Sequence, residues 1–141
     1  EIASCLVGSE MCIRDRDHMG KVARHEGASL VLEQAKKLSE NLPIIVTGDF
    51  NAVPSDEPIQ VLTNPSDPRH LTHSRTIAGF TYGPEWTFHD FGKIPYDKRE
   101  WIDYIFVKGN IKVLRHGVLT ETLNNLFPSD HCPVISTLIL E

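Results

Sequence analysis

The chain has 141 residues, about one domain's worth. Apolar residues make up 40% and charged residues 23%, which excludes a disordered tail, and no apolar run approaches the ~18 residues of a membrane span. The formal charge is -5, from 14 basic and 19 acidic residues, so the chain lacks the broad basic surface of a non-specific nucleic-acid binder, although an enzyme that takes up a phosphate locally through a metal stays open.

At the start, Cys5 to Arg16 reads CLVGSEMCIRDR and resembles, without a break, the translation of a transposon adapter used to build sequencing libraries. Such a segment is set apart from fold reasoning, as an expression tag would be. Residues 1–16 are therefore expected to be artefactual and to make few buried contacts, and the domain is expected over residues 17–141. Setting the segment aside leaves Cys132 as the single cysteine, which gives neither a disulfide framework nor a redox compartment.

Residues 17–42 read as a helix beginning near Gly20, with Ala28, Val31, Leu32, Ala35 and Leu38 on one apolar face. Glu33, Lys36, Lys37 and Glu40 fall largely outside that stripe, as a solvated face would, and Asn41-Leu42-Pro43 stops the helix. Ile44-Ile45-Val46 is a short β-branched run, read as a strand buried on both faces and ending at Gly48-Asp49-Phe50-Asn51. Ser55 is expected to cap a short helix through Leu62, with Asp56 and Glu57 in its first turn. Residues 63–84, with prolines at 65, 68 and 84, read as irregular loop. A strand is expected from Trp86 to Phe91, a polar loop over 92–100, and a strand from Trp101 to Val107. Lys108-Gly109-Asn110 turns into a strand at Ile111–Leu114, and Val134 to Leu140 forms the last strand. One helix with several strands that lack clean alternation implies a layered α/β architecture.

Asp49 and Asn51 lie two apart at a strand's end, a spacing that in extended backbone points both side chains the same way. A carboxylate and a carboxamide facing one spot suit a hard cation and a phosphate, and a plain Gly-Asp turn accounts for the pair equally well. Alternation places Asp103 on the face of Trp101, Ile105 and Val107. A carboxylate in an apolar stripe costs several kcal/mol unless it is paired, so Asp103 calls for a partner, a histidine being the natural one, or for backbone amides. Asp130-His131 at the entrance of the last strand supplies either a capped turn or a metal ligand beside a general base. His70 and His73 have a spacing that suits zinc on a helix, but the nearby prolines and the lack of a matching third ligand argue against zinc there. His18 and His89 read as packing or hydrogen-bonding residues, and Trp86 and Trp101 as core or rim.

Three motifs then stand in order: Thr47-Gly48-Asp49-Phe50-Asn51-Ala52, Trp101-Ile102-Asp103-Tyr104-Ile105-Phe106-Val107, and Pro128-Ser129-Asp130-His131-Cys132-Pro133-Val134. As a set they resemble the endonuclease/exonuclease/phosphatase superfamily over residues 17–141, the second half of a domain that normally runs about twice this length. The resemblance implies half of a four-layer α/β sandwich with two packed mixed β-sheets. It implies a hydrolase acting on phosphate esters by in-line attack of water, with Mg2+ or Mn2+ as cofactor. By resemblance Asp49 orients or deprotonates the water, and Asn51 holds the phosphate near the metal. Asp130 joins the metal shell, His131 contacts the phosphate or moves a proton, and Asp103 orients His131. Asp49, Asn51 and Asp130 are then the metal-side residues, and Asp49, Asn51, Asp103 and His131 the catalytic ones.

Two departures accompany the match. Asp17 and His18 fit the tail of a Thr-His-x-Asp element, but Arg14 and Asp15 of the adapter-like segment stand where its Thr and His belong. The upstream Asn and metal-binding Glu of the family are absent, so this chain is expected to be inactive as it stands and marginal as an independent fold. The rival reading is a non-catalytic binding module on the same fold. The phosphate ester itself stays open among small-molecule, lipid-headgroup and nucleic-acid substrates, and a monomer is expected.

Overall fold

The computed structural model describes residues 18–141. The expectations about residues 1–16, and about the tail of the Thr-His-x-Asp element at Asp17, lie outside the described residues.

Helix α1 spans His18–Ser39 and strand β1 Ile44–Asp49. Ala28, Leu32 and Ala35 form the buried stripe of α1, whereas Leu38, in the last turn, is exposed. Lys36 and Lys37 sit in that last turn, where basic charge complements the helix dipole. Glu40 follows in the left-handed region at φ 52°, and Leu42 N–H closes the turn onto the Ser39 carbonyl.

Beyond β1 come α2 (Glu57–Thr63), β2 (Thr72–His73), α3 (Ser74–Ile77) and β3 (Phe80–Tyr82). The expected cap at Ser55 is not formed. Asp56 is the N-cap of α2 and makes no side-chain cap bond, since its carboxylate accepts instead from the Val53 amide at 3.0 Å. Nor is the segment 63–84 irregular throughout. Prolines 65 and 68 precede β2 and Pro84 follows β3, so they bound these short elements without interrupting them.

Strands β4 (Asp103–Lys108), β5 (Ile111–Val118) and β6 (Val134–Leu140) complete the chain. The strand expected from Trp86 to Phe91 is absent. The amides of Thr87 and Phe88 both go to the Glu100 carbonyl, and Asp90, Phe91 and Gly92 take φ values of 46°, 52° and 81° in succession, which no extended run accommodates. Strand β5 runs to Val118, past the expected end at Leu114, and a bulge after Val113 absorbs the irregularity that hid its second half.

The strands form two three-stranded sheets, in the orders β1-β4-β2 and β3-β5-β6. The first is antiparallel; the second is mixed, with β3 parallel to β5 and β6 antiparallel to it. This is the α/β layering expected of half of the sandwich. The core gathers Leu32, Val46, Ile59, Leu62, Leu71, Tyr104 and Phe106, with Phe50 edge-on to both Tyr104 and Phe106. In β1 only Val46 is buried, so among the described residues that strand is not covered on both faces.

A second buried feature joins the layers. Ser74 of α3 and Ser136 of β6 both place Oγ against His116 Nδ1, at 2.8 and 2.9 Å, and lie 3.1 Å from each other. His116 is fully buried, and His73 of β2 packs edge-on to it and to Trp101.

Candidate active site

The pairing register of β1 with β4 places Asp49 directly opposite Asp103. Like charges directly opposed across strands repel, so this corner calls for compensating positive charge. His131 provides some of it: its Nδ1 lies 2.9 Å from Asp103 Oδ2. A carboxylate only accepts, so Nδ1 carries the hydrogen and Nε2 is left for the site. Ligand atoms of Asp49, Asp103 and His131 all lie within 4.8 Å of one another, a group able to hold a metal ion.

Asp103 is less sealed than its sequence stripe implied. Its side chain is 19% exposed, and the deepest residues of β4, Tyr104 and Phe106, alternate with it. The partner called for by a half-buried carboxylate is nonetheless the histidine.

Asn51 is tied to Asp49. Its amide N–H donates to Asp49 Oδ1 at 2.8 Å and its side-chain amide to Oδ2 at 3.1 Å. This local closure accounts for the left-handed φ of 47° at Asn51, a conformation asparagine tolerates better than most residues. Tyr104 Oη donates to the carbonyl of the buried Ala52, which anchors the turn beneath the site.

The segment from Ser129 to Cys132 is held from both sides. Ser129 Oγ accepts from the His131 amide, and the Asp130 carbonyl accepts from the His89 amide. The Cys132 amide donates to the Thr87 carbonyl at 2.7 Å. Asp130 is not among the three grouped side chains, although its charge acts on His131.

Burial alone would lower the basicity of His131. The hydrogen bond to Asp103 and the charges of Asp103, Asp49 and Asp130 outweigh it and raise its pKa above the ordinary histidine value. Partial burial raises the Asp49 carboxyl, helped by the Asp103 charge and opposed by the Asn51 bonds and by His131. The result is a more basic carboxylate beside an imidazole that keeps its proton more readily.

Two supporting residues escaped the sequence reading. Thr87 is fully buried, and its Oγ1 accepts from the amides of Ile102 and Asp103, both at 3.1 Å, which fixes the start of β4. Phe88 packs against the His131 ring with centroids 4.9 Å apart. The only sequence signal was a lone threonine between aromatic residues, in a stretch read as an ordinary strand. Of the other histidines, His89 is buried and its Nδ1 accepts from the Gly92 amide, while His70 Nδ1 lies 2.7 Å from the Asp67 carbonyl. Trp86 and Trp101 are both buried.

Two layered sheets with acids and a histidine gathered at the strand ends define an α/β sandwich of the phosphoesterase type. The profile of the Endonuclease/Exonuclease/phosphatase family matches residues 14–131, and the chain belongs to that family. It is similar to the endonuclease/exonuclease/phosphatase of Bacteroides vulgatus, at 33% identity and a TM-score of 0.80 over 89% of this chain and 47% of that one. It is also similar to a mannosyl-6-phosphatase of Bacteroides thetaiotaomicron, at 34% identity and a TM-score of 0.75 over 88% of this chain and 48% of that one. The catalytic domain of human Nocturnin, at 19% identity and a TM-score of 0.64 over 90% of this chain and 44% of that one, shares the fold. The chain thus spans about half the length of the solved structures it matches. No curated protein matches it significantly.

Proposed function

We propose that the chain contributes one side of the active site of a Mg2+- or Mn2+-dependent hydrolase that cleaves a phosphate ester by in-line attack of water. The observation that carries this reading is the grouping of Asp49, Asp103 and His131, with Asn51 bonded to Asp49. The Asp49 carboxylate offers hard oxygen donors that fit a hard divalent cation, and by the family resemblance Asp130 would join it, with Asn51 close by. When bound, such an ion supplies positive charge against the non-bridging phosphate oxygens.

The residues then divide the work. Asp49 orients the attacking water and accepts its proton, a task that its raised pKa favours. Asn51 donates to a phosphate oxygen from its carboxamide. Asp103 holds the Nδ1 hydrogen of His131 and so fixes the ring, leaving Nε2 to donate toward the phosphate. The hydrogen bond and the charges of Asp103, Asp49 and Asp130 raise the pKa of His131 and so favour a proton there. Among phosphate esters, we favour a sugar phosphomonoester, on the similarity to the mannosyl-6-phosphatase.

The test uses this sequence within a domain of the length its solved relatives have. Asp49→Ala and His131→Ala are expected to lower turnover by roughly 100-fold or more, and Mg2+ or Mn2+ to restore activity after chelation. Full activity in a chelated preparation would overturn the reading. Metal and phosphate binding without turnover would favour a binding module.

A further inference from the structure

A recess of about 370 Å3, lined by Gly83, Trp86, Tyr96, Arg99, Thr120 and Phe127, is linked to the carboxylate–imidazole corner by ring contacts: Trp86 and Phe127 pack against His89, with centres 5.7 and 4.3 Å away, and the adjacent Phe88 packs against His131 at 4.9 Å. The three loops that form it run on into the corner. Trp86 leads to Thr87 and Phe88, Arg99 leads to Asp103, and Phe127 leads to Asp130 and His131. The Arg99 charge also acts on His89 and on Cys132, the residue after His131.

Arg99 is held face-on. Its guanidinium lies 4.3 Å from the Trp86 ring centre and 5.5 Å from that of Tyr96, and its Nε donates to the Ile94 carbonyl. Stacking and that bond set the plane of the group and leave its two Nη nitrogens unpartnered among the described residues, a fork suited to bidentate recognition. Trp86 is 6% exposed, yet its indole N–H has no hydrogen-bond partner. A buried donor without an acceptor points to a missing acceptor.

The chemistry of the lining narrows the ligand. The lining residues carry a guanidinium, an indole N–H and a hydroxyl among their side chains, and no carboxylate. A sugar hydroxyl is best met by an acceptor as well as a donor, whereas a phosphoryl or carboxylate group is satisfied by donors alone. We propose that this recess binds a second anionic group, phosphoryl or carboxylate, on the same molecule whose scissile phosphate sits at the Asp49–His131 corner. The inference rests on the phosphoesterase reading and names its substrate class: a sugar monophosphate with a further anionic group.

Binding tests this without requiring turnover. Trp86 and Trp101 are the only tryptophans, so the chain gives two indole N–H resonances, which Trp86→Phe assigns. Glucose 6-phosphate, glucose 1,6-bisphosphate and 6-phosphogluconate are titrated in turn into the full chain with Mg2+. A doubly anionic ligand is expected to shift the Trp86 resonance and to bind roughly tenfold more tightly than the monophosphate. In Arg99→Met, and in Arg99→Lys if the first variant is unfolded, that preference should collapse toward one. A response to the bisphosphate alone assigns a phosphoryl group, and a response to the gluconate alone assigns a carboxylate. Equal affinities for ligands with one and with two anionic groups, an unmoved Trp86 resonance, or a preference unchanged in both variants would overturn the proposal. Activity independent of metal and of Asp49, in a domain of the length the solved relatives have, would sink the phosphoesterase reading, whereas an Arg99-independent preference sinks only the recess.

Discussion

Two regions of the molecule place a histidine at the centre of a polar cluster, and they treat it in opposite ways. At the corner, His131 is half-buried among Asp49, Asp103 and Asp130, and its pKa is raised. Where the layers meet, His116 is sealed with Ser74 and Ser136 and its pKa falls to about 4, through burial first and the Arg75 charge second. Burial likewise takes neighbouring His73 to about 3, assisted by the charges of His116 and Arg75. The ring is the same; carboxylates within reach favour its cation, and their absence under burial removes it. The first cluster favours a charged ring, and the second keeps its ring neutral between two layers.

The sharpest way to break this comparison is Asp103→Asn. An amide keeps the shape but loses the charge, so His131 should lose the elevation of its pKa, and turnover in a domain of full family length should fall by roughly 100-fold or more. Histidine NMR titration and steady-state kinetics check both halves. A His131 pKa that stays high in the variant would mean that Asp49 and Asp130, not the orienting bond, set it.

The pH dependence of stability should differ in sign between the regions. His116 and His73 have folded pKa values below the unfolded value of about 6.5. As pH falls the unfolded chain therefore takes up their protons first, and stability is lost between about pH 6.5 and 4 for His116 and down to about 3 for His73. The loss from His116 is on the order of 3 kcal/mol. His131 runs the other way. Its contribution is complete below the unfolded value and disappears as pH rises through its raised folded value. Chemical denaturation across pH should show a weaker acid loss in His116→Phe than in the parent. His131→Gln should instead remove stability that the parent holds on the acid side. Parallel pH profiles for the two variants would contradict the comparison.

The smallest effect is expected from Ser74→Ala. Ser136 stays within reach of His116 Nδ1, so the loss should be about 1 kcal/mol, read as a lower unfolding midpoint, with the His131 titration unchanged.

What the sequence made legible follows the range of the interactions. Helix α1, strands β1, β4 and β6, and the family rest on local periodicity and on short motifs, and they were readable. A carboxylate amid apolar residues demanded a partner, and the family resemblance named it as His131, which the structure places 2.9 Å away. The stretches 63–84 and 86–91 were misread because their elements are two to four residues long and take their form from distant segments, as when Thr87 closes onto Ile102 and Asp103. The Ser74–His116–Ser136 cluster joins positions 42 and 20 residues apart, and no local pattern signals it.

The opposed carboxylates of β1 and β4 also bear on how such a chain can change length. A strand alternates its faces at every residue, so one inserted or deleted residue within Ile44–Asp49 or Asp103–Lys108 would turn Asp49 or Asp103 to the far side of the sheet. The stretch between those strands carries no such parity. Its loops can lengthen or shorten and remodel the surroundings of the corner while the two acids stay face to face. In β1 and β4 the parity of the strand therefore ties the placing of the two acids to a fixed length.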